Sequence, residues 1–167
     1  LRELVKKGND SGADAFQVQR LVETGKWRNV QQMLQDNIGG DPNHARVEAL
    51  RQMARLAQER TDDDVKAADF WRQVHQVDKD DVEARRALLR LYEAQEKWPQ
   101  YADILRAEVD DIPSGDVEAK IAGLHKLVAV LSEHLRQDAV VVQIYAQILE
   151  LDPDDRPVFE ALLDKYE

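Results

Sequence analysis

A chain of 167 residues with 33 acidic and 23 basic side chains carries a net charge of −10, a balance that repels phosphate backbones and excludes nucleic acid as the expected partner. The absence of cysteine excludes disulfides, thiolate metal sites and cysteine nucleophiles. No apolar run approaches the ~18 residues of a membrane span; the richest, Leu127 to Leu131, is far shorter, so no membrane insertion is expected.

Charged residues make up 34% of the chain and aromatics 6%, while Gly and Pro are sparse and fall between periodic segments, which predicts a mostly helical soluble protein. The chain opens on Leu1 with no basic region ahead of an apolar core; a cytoplasmic location is favoured, and a removed export signal or a trimmed start stays open.

Taken in chain order, the apolar residues recur at three and four positions and divide a single domain, residues 1–167, into units of about 37 residues. The first, 11–43, contains LVETGKWRNVQQMLQDNI and closes on Gly39-Gly40-Asp41-Pro42. The second, 44–80, sets Val47, Leu50, Met53 and Ala54 on one helix face and Phe70, Trp71, Val74 and Val77 on another, then ends in an acidic loop. The third, 81–116, has Leu88, Leu89, Leu91 and Tyr92 on its first helix and a turn at Gln95-Glu96-Lys97. Trp98, Tyr101, Ile104 and Leu105 follow on its second helix, with Pro99 in the first turn. Asp80 with Glu83 three positions later reads as the capping box that opens its first helix. The fourth, 117–153, carries Ile121, Leu124, Leu127 and Val128, then a helix beginning near Asp138. The fifth, 154–167, is incomplete: Pro157 marks a helix start, and Leu163 and Tyr166 lack a second helix to cover them. An apolar end of that kind predicts either a longer natural chain or end-to-end self-association.

Sliding the chain by 74 residues lays DVKAADFWRQVHQVDKDD, from Asp64, on DAVVVQIYAQILELDPDD, from Asp138. Phe70 meets Ile144, Trp71 meets Tyr145, Val74 meets Ile148, and Asp78-x-Asp80-Asp81 meets Asp152-x-Asp154-Asp155. The two Lys-Trp segments overlay at 71, with the difference absorbed by a loop. Two kinds of unit therefore alternate, one marked by Lys-Trp and one by its Asp loop.

The segment LELDPDDRPVFEALLDKYE, residues 149–167, resembles the junction between tetratricopeptide repeats, where a helix ends in a Leu-x-Leu-Asp-Pro turn and the next begins. Ala129, Tyr145 and Ile148 occupy packing positions of that family, and Phe159, Leu162 and Tyr166 suit the following first helix. The pattern departs elsewhere: Val141 and Tyr101 replace a small residue, Gly is missing from Gln95-Glu96-Lys97, and Lys79 stands where Pro would. A half-a-tetratricopeptide-like variant is equally in view. Repetition and resemblance together predict an all-α fold, a right-handed α-solenoid of antiparallel helix hairpins in a tetratricopeptide-like superhelix.

A search for chemistry predicts no catalytic residue, no metal ligand and no cofactor. Ser11, Ser114 and Ser132 lie outside any Gly-x-Ser-x-Gly turn, and His44, His75, His125 and His134 show no metal-binding spacing on one helix face. Asp152-Pro153-Asp154-Asp155 would suit a calcium loop, but Pro157 and Leu163 replace its Gly and closing Glu, so a helix start is expected there. Trp27 and Trp98 are expected to wedge between neighbouring units rather than grip a ligand.

The chain therefore reads as a non-catalytic protein–protein interaction module, an adaptor or assembly scaffold with a concave groove for a peptide or partner helix. A self-associating solenoid spacer and the regulatory subunit of an enzyme complex are the alternatives. Family geometry implies a groove on the first helices, and the residues it selects are unexpectedly basic: Gln52, Arg60, Arg86, Arg90, Lys126 and His134. Arg86 and Arg90 lie one turn apart, where like charges repel on a bare helix, so an acidic partner is expected unless Glu83 and Glu93 neutralise them three positions away.

Overall fold

The structure, a computed structural model, describes residues 11–166; residues 1–10 and Glu167 of the expected domain lie outside the described residues. Of the described residues 80% are helical and none is in a strand, as the apolar spacing of three and four requires. The helices are α1 (Ser11–Glu23), α2 (Trp27–Ile38), α3 (Pro42–Arg60), α4 (Asp64–Val77), α5 (Val82–Ala94), α6 (Trp98–Asp110), α7 (Val117–Val130), α8 (Asp138–Leu151) and α9 (Arg156–Asp164). A π-helical segment, Leu131–Leu135, continues α7. Ser11 is the first residue of α1.

The chain forms two compact units, one reaching Leu91 and the other beginning at Tyr92. In the first, α1 packs on α2 and α3, α2 on α3, and α3 on α4. Its core holds Val22, Val30, Leu50, Met53, Trp71 and Val74, all essentially inaccessible. Trp27 reaches across to Phe70 of α4, ring centroids 5.1 Å apart and edge-on. In the second unit α6 packs on α7, α7 on α8, and α8 on α9. There Trp98 is only half-buried; it lies flat on His134 at 3.7 Å and meets Tyr101 edge-on at 5.8 Å. Gly123 of α7 permits close approach to α6, since a Cβ there would stand 2.6 Å from Cγ2 of Val109.

The 74-residue repetition extends to individual hydrogen bonds. Asp80 N–H donates to the Asp78 carboxylate at 3.1 Å, and Asp154 N–H donates to the Asp152 carboxylate at 3.1 Å. Asp81 then caps α5 by accepting from Ala84 N–H at 2.8 Å, as Asp155 caps α9 by accepting from Val158 N–H at 3.1 Å. The expected cap at Asp80 is thus displaced by one residue, and Glu83 does not reach back along its own helix but pairs with Arg55. Upstream, Asp62 and Arg136 both take φ of 50°, and the next N–H in each case bonds back six residues, Asp63 to Ala57 and Gln137 to Leu131. The Lys-Trp turns also match: Lys26 N–H bonds to Leu21 O and Lys97 N–H to Tyr92 O, each at 2.8 Å. Gly25 at φ 69° is replaced by Glu96 at φ 53°, a left-handed conformation that costs a side-chain-bearing residue more than glycine. The turn therefore survives the missing glycine.

Burial repeats with the hydrogen bonds. Leu50, Met53, Ala54, Phe70 and Val74 are buried, and so are Leu124, Leu127, Val128, Ile144 and Ile148, 74 residues on. At the apolar end, Phe159 and Leu163 of α9 and Tyr166 just after it are 52%, 51% and 75% exposed while Val158 is buried.

Trp71→Ala should cost about 3–5 kcal/mol, the range for large aromatic truncations in a core. Trp98→Ala should cost about half as much, because its ring leaves water only in part; urea unfolding of the two variants gives the comparison. Gly123→Ala should destabilise by about 1 kcal/mol, because the stiff, buried Val109 cannot yield and overpacking outweighs the gain in helix propensity.

Candidate functional site

The strongest concentration of charge chemistry in the first unit lies where α3 meets α5. Asp81 sits at the N-terminus of α5 with its side chain almost wholly buried, which is costly for a carboxylate unless every oxygen is engaged. Oδ1 accepts from Ala84 N–H; Oδ2 accepts from Nε of Arg51 at 2.9 Å and also from its Nη2. Glu48, one turn before Arg51 on α3, takes the remaining side of the guanidinium at 3.0 Å. Burial pushes the Asp81 carboxyl up, but the Ala84 amide and the Arg51 guanidinium outweigh it and hold the group below the usual carboxylate range. Arg85, itself buried, donates from Nε to Lys79 O at 2.7 Å and ties the turn to the same helix.

One turn further along α3, Arg55 donates to both oxygens of Glu83, two residues after Asp81, its Nη2 reaching each at 2.7 Å. This pair removes Glu83 from Arg86, its expected neutralising partner. Arg86 and Arg90 are exposed, and neither forms an ion pair among the described residues. The space between is a groove of about 650 Å³ lined by Arg55, Gln58, Glu59, Trp71, Val82, Glu83, Arg86, Ala87 and Arg90. Three arginines thus face two glutamates, on an apolar lining that includes Val82, 56% exposed. The Trp71 indole N–H is buried and has no partner among the described residues.

Of the six residues selected from the sequence, the structure brings Arg86 and Arg90 together in this groove. Gln52 is half-buried on α3 with Oε1 unpartnered among the described residues, and Arg60 is exposed at the end of α3; neither lines the groove. Lys126 and His134 belong to the second unit: Lys126 is exposed on α7, and the His134 ring is engaged by Trp98. Arg55 and Gln58 escaped the sequence reading, and Trp71 entered it only as part of an apolar helix face. The signal for Arg55 was its place one turn after Arg51 on α3, opposite the carboxylates that begin α5.

The other polar groups are dispersed. His125 pairs with Asp155 at 3.4 Å, and burial, reinforced by Arg85 and Lys79, pushes His75 below the usual histidine range. Among the described residues no three His, Asp or Glu side chains converge to hold a metal ion, and no helix is long and apolar enough to cross a membrane. A smaller cavity of about 230 Å³ in the second unit is lined by Arg106, Leu124, Val140, Ile144 and their neighbours.

Because the Asp81 carboxyl titrates lower folded than unfolded, its contribution is present above the unfolded value and is lost as pH falls through the folded one. Asp81→Asn, which keeps a capping oxygen, should lose about 1–3 kcal/mol near neutral pH. Its stability should then fall less steeply than the wild type's on acidification, as followed by urea unfolding across the acid range.

No protein-family model matches this chain, and no curated protein matches it.

Proposed function

We propose that the chain is a non-catalytic protein-binding module, built as a right-handed tetratricopeptide-like solenoid of antiparallel helix hairpins, whose groove between α3 and α5 receives an acidic peptide or partner helix. The observation that carries this reading is the pair Arg86 and Arg90, one turn apart, exposed and without ion pairs among the described residues. Like charges at that spacing repel by a few tenths of a kcal/mol, so an anion between them removes a standing cost. Charge-assisted hydrogen bonds to a planar guanidinium add geometry to that attraction. The apolar lining supplies the desolvated contact that charges alone do not. The repeated turns and caps support the solenoid reading, because each copy positions the next helix through the same hydrogen bonds.

The test is titration of a short fluorescein-labelled Asp/Glu-rich peptide, read by anisotropy. Binding should weaken as salt rises, and Arg86→Glu with Arg90→Glu should weaken it at least about tenfold while leaving the circular dichroism unchanged. Equal affinity in that folded double variant would return the arginines to an ordinary solvated face.

A further inference from the structure

The exposed end of α9 and the basic groove are related by the repeat itself. At the same offset of 74, α5 overlays α9: Leu88 falls on Leu162, Leu89 on Leu163 and Tyr92 on Tyr166. Arg86 falls on Glu160 and Arg90 on Asp164, so the two basic positions of one copy are the two acidic positions of the other. Glu160 and Asp164 are exposed and, like the arginines, form no ion pair among the described residues. They stand one turn apart on α9, which also carries the exposed Phe159 and Leu163, four residues apart; the exposed Tyr166 lies in the turn after the helix.

We propose that α9 of one copy of this chain docks in the α3–α5 groove of a second copy, setting Glu160 and Asp164 against Arg86 and Arg90. The inference rests on the reading of that groove as a binding site for acidic helices and names its occupant. Charge complementarity selects α9: it offers two carboxylates at the spacing of the two guanidiniums, with exposed Phe159 and Leu163 on the same helix for the exposed Val82. The contact is heterologous, because the donor and acceptor surfaces differ, so each copy that gives its α9 keeps an open groove for another.

Sedimentation velocity on the full chain over a range of concentrations tests this. Association should rise with concentration and weaken with salt. Arg86→Glu/Arg90→Glu and Glu160→Arg/Asp164→Arg should each raise the dissociation constant at least about tenfold. Mixing the two variants restores both complementary pairs, so the mixture should associate although neither does alone; this recovery also shows that both are folded. A wild-type chain that stays monomeric throughout, or one whose association neither variant disturbs, overturns the proposal. The labelled acidic peptide separates the two readings. If it binds the wild type and the Glu160→Arg/Asp164→Arg variant while the wild type is monomeric, the groove stands and only its occupant is wrong. If it binds neither, the groove reading itself falls.

Discussion

The carboxylate of Asp81 is the constraint on which the geometry of the first unit turns. It is buried at a helix start, where the free amides of the first turn demand an acceptor, and its own charge demands a cation. Arg51 answers the second demand from a different helix, which couples the capping of α5 to its placement beside α3. Two carboxylates around one guanidinium leave Arg51 little freedom. With α5 fixed in register, Glu83 falls opposite Arg55, and the residues one turn further on are left facing open space. Buried ion pairs are weak guarantees of stability, because desolvation offsets much of the attraction. Their directional hydrogen bonds are a better guarantee of register, and it is register that sets Arg86 and Arg90 in the groove.

Helical content, the positions of most helices and the 74-residue period were legible because each rests on local patterns: apolar spacing, prolines in first turns and acidic loops. What needed the tertiary structure was the choice among near-equivalent groups. Asp78, Asp80 and Asp81 crowd one loop, and the Asp80–Glu83 spacing satisfies a capping box; only the meeting of Asp81 with Arg51, thirty residues away in sequence, decides for Asp81. The alternative pairing of Glu83 with Arg86 is absent for the same reason, because Glu83 is held by a partner on α3. Trp98 was legible as a contact between segments but not as a half-buried one, since its place at the first turn of α6 leaves one side open. Of the groove, sequence supplied the two arginines on α5; the α3 side and the Trp71 lining emerge only when the helices are brought together.

The two copies show which interactions the architecture requires and which it leaves free. Asp81 and Asp155 both cap, but Arg51 is matched by His125, at a longer 3.4 Å and with its partner's side chain 15% exposed rather than 4%. The second clamp disappears altogether, since Arg55 and Glu83 fall on Ala129 and Pro157. The caps and backward-reaching turns persist because main-chain groups and short aspartates make them, and little else can satisfy the amides of a first turn.

Side chains that make no such bond are released from that constraint. Arg86, Arg90, Glu160 and Asp164 are all exposed, so inverting their charge leaves the buried Leu88 and the half-buried Leu162 untouched. An exposed position tolerates either sign at a cost of tenths of a kcal/mol, whereas the fold depends on terms several times larger beneath it. A repeated scaffold can thus carry opposite charge on equivalent helices. The four-residue spacing of those charges is one turn of helix, so it is the same in both copies whatever their sign.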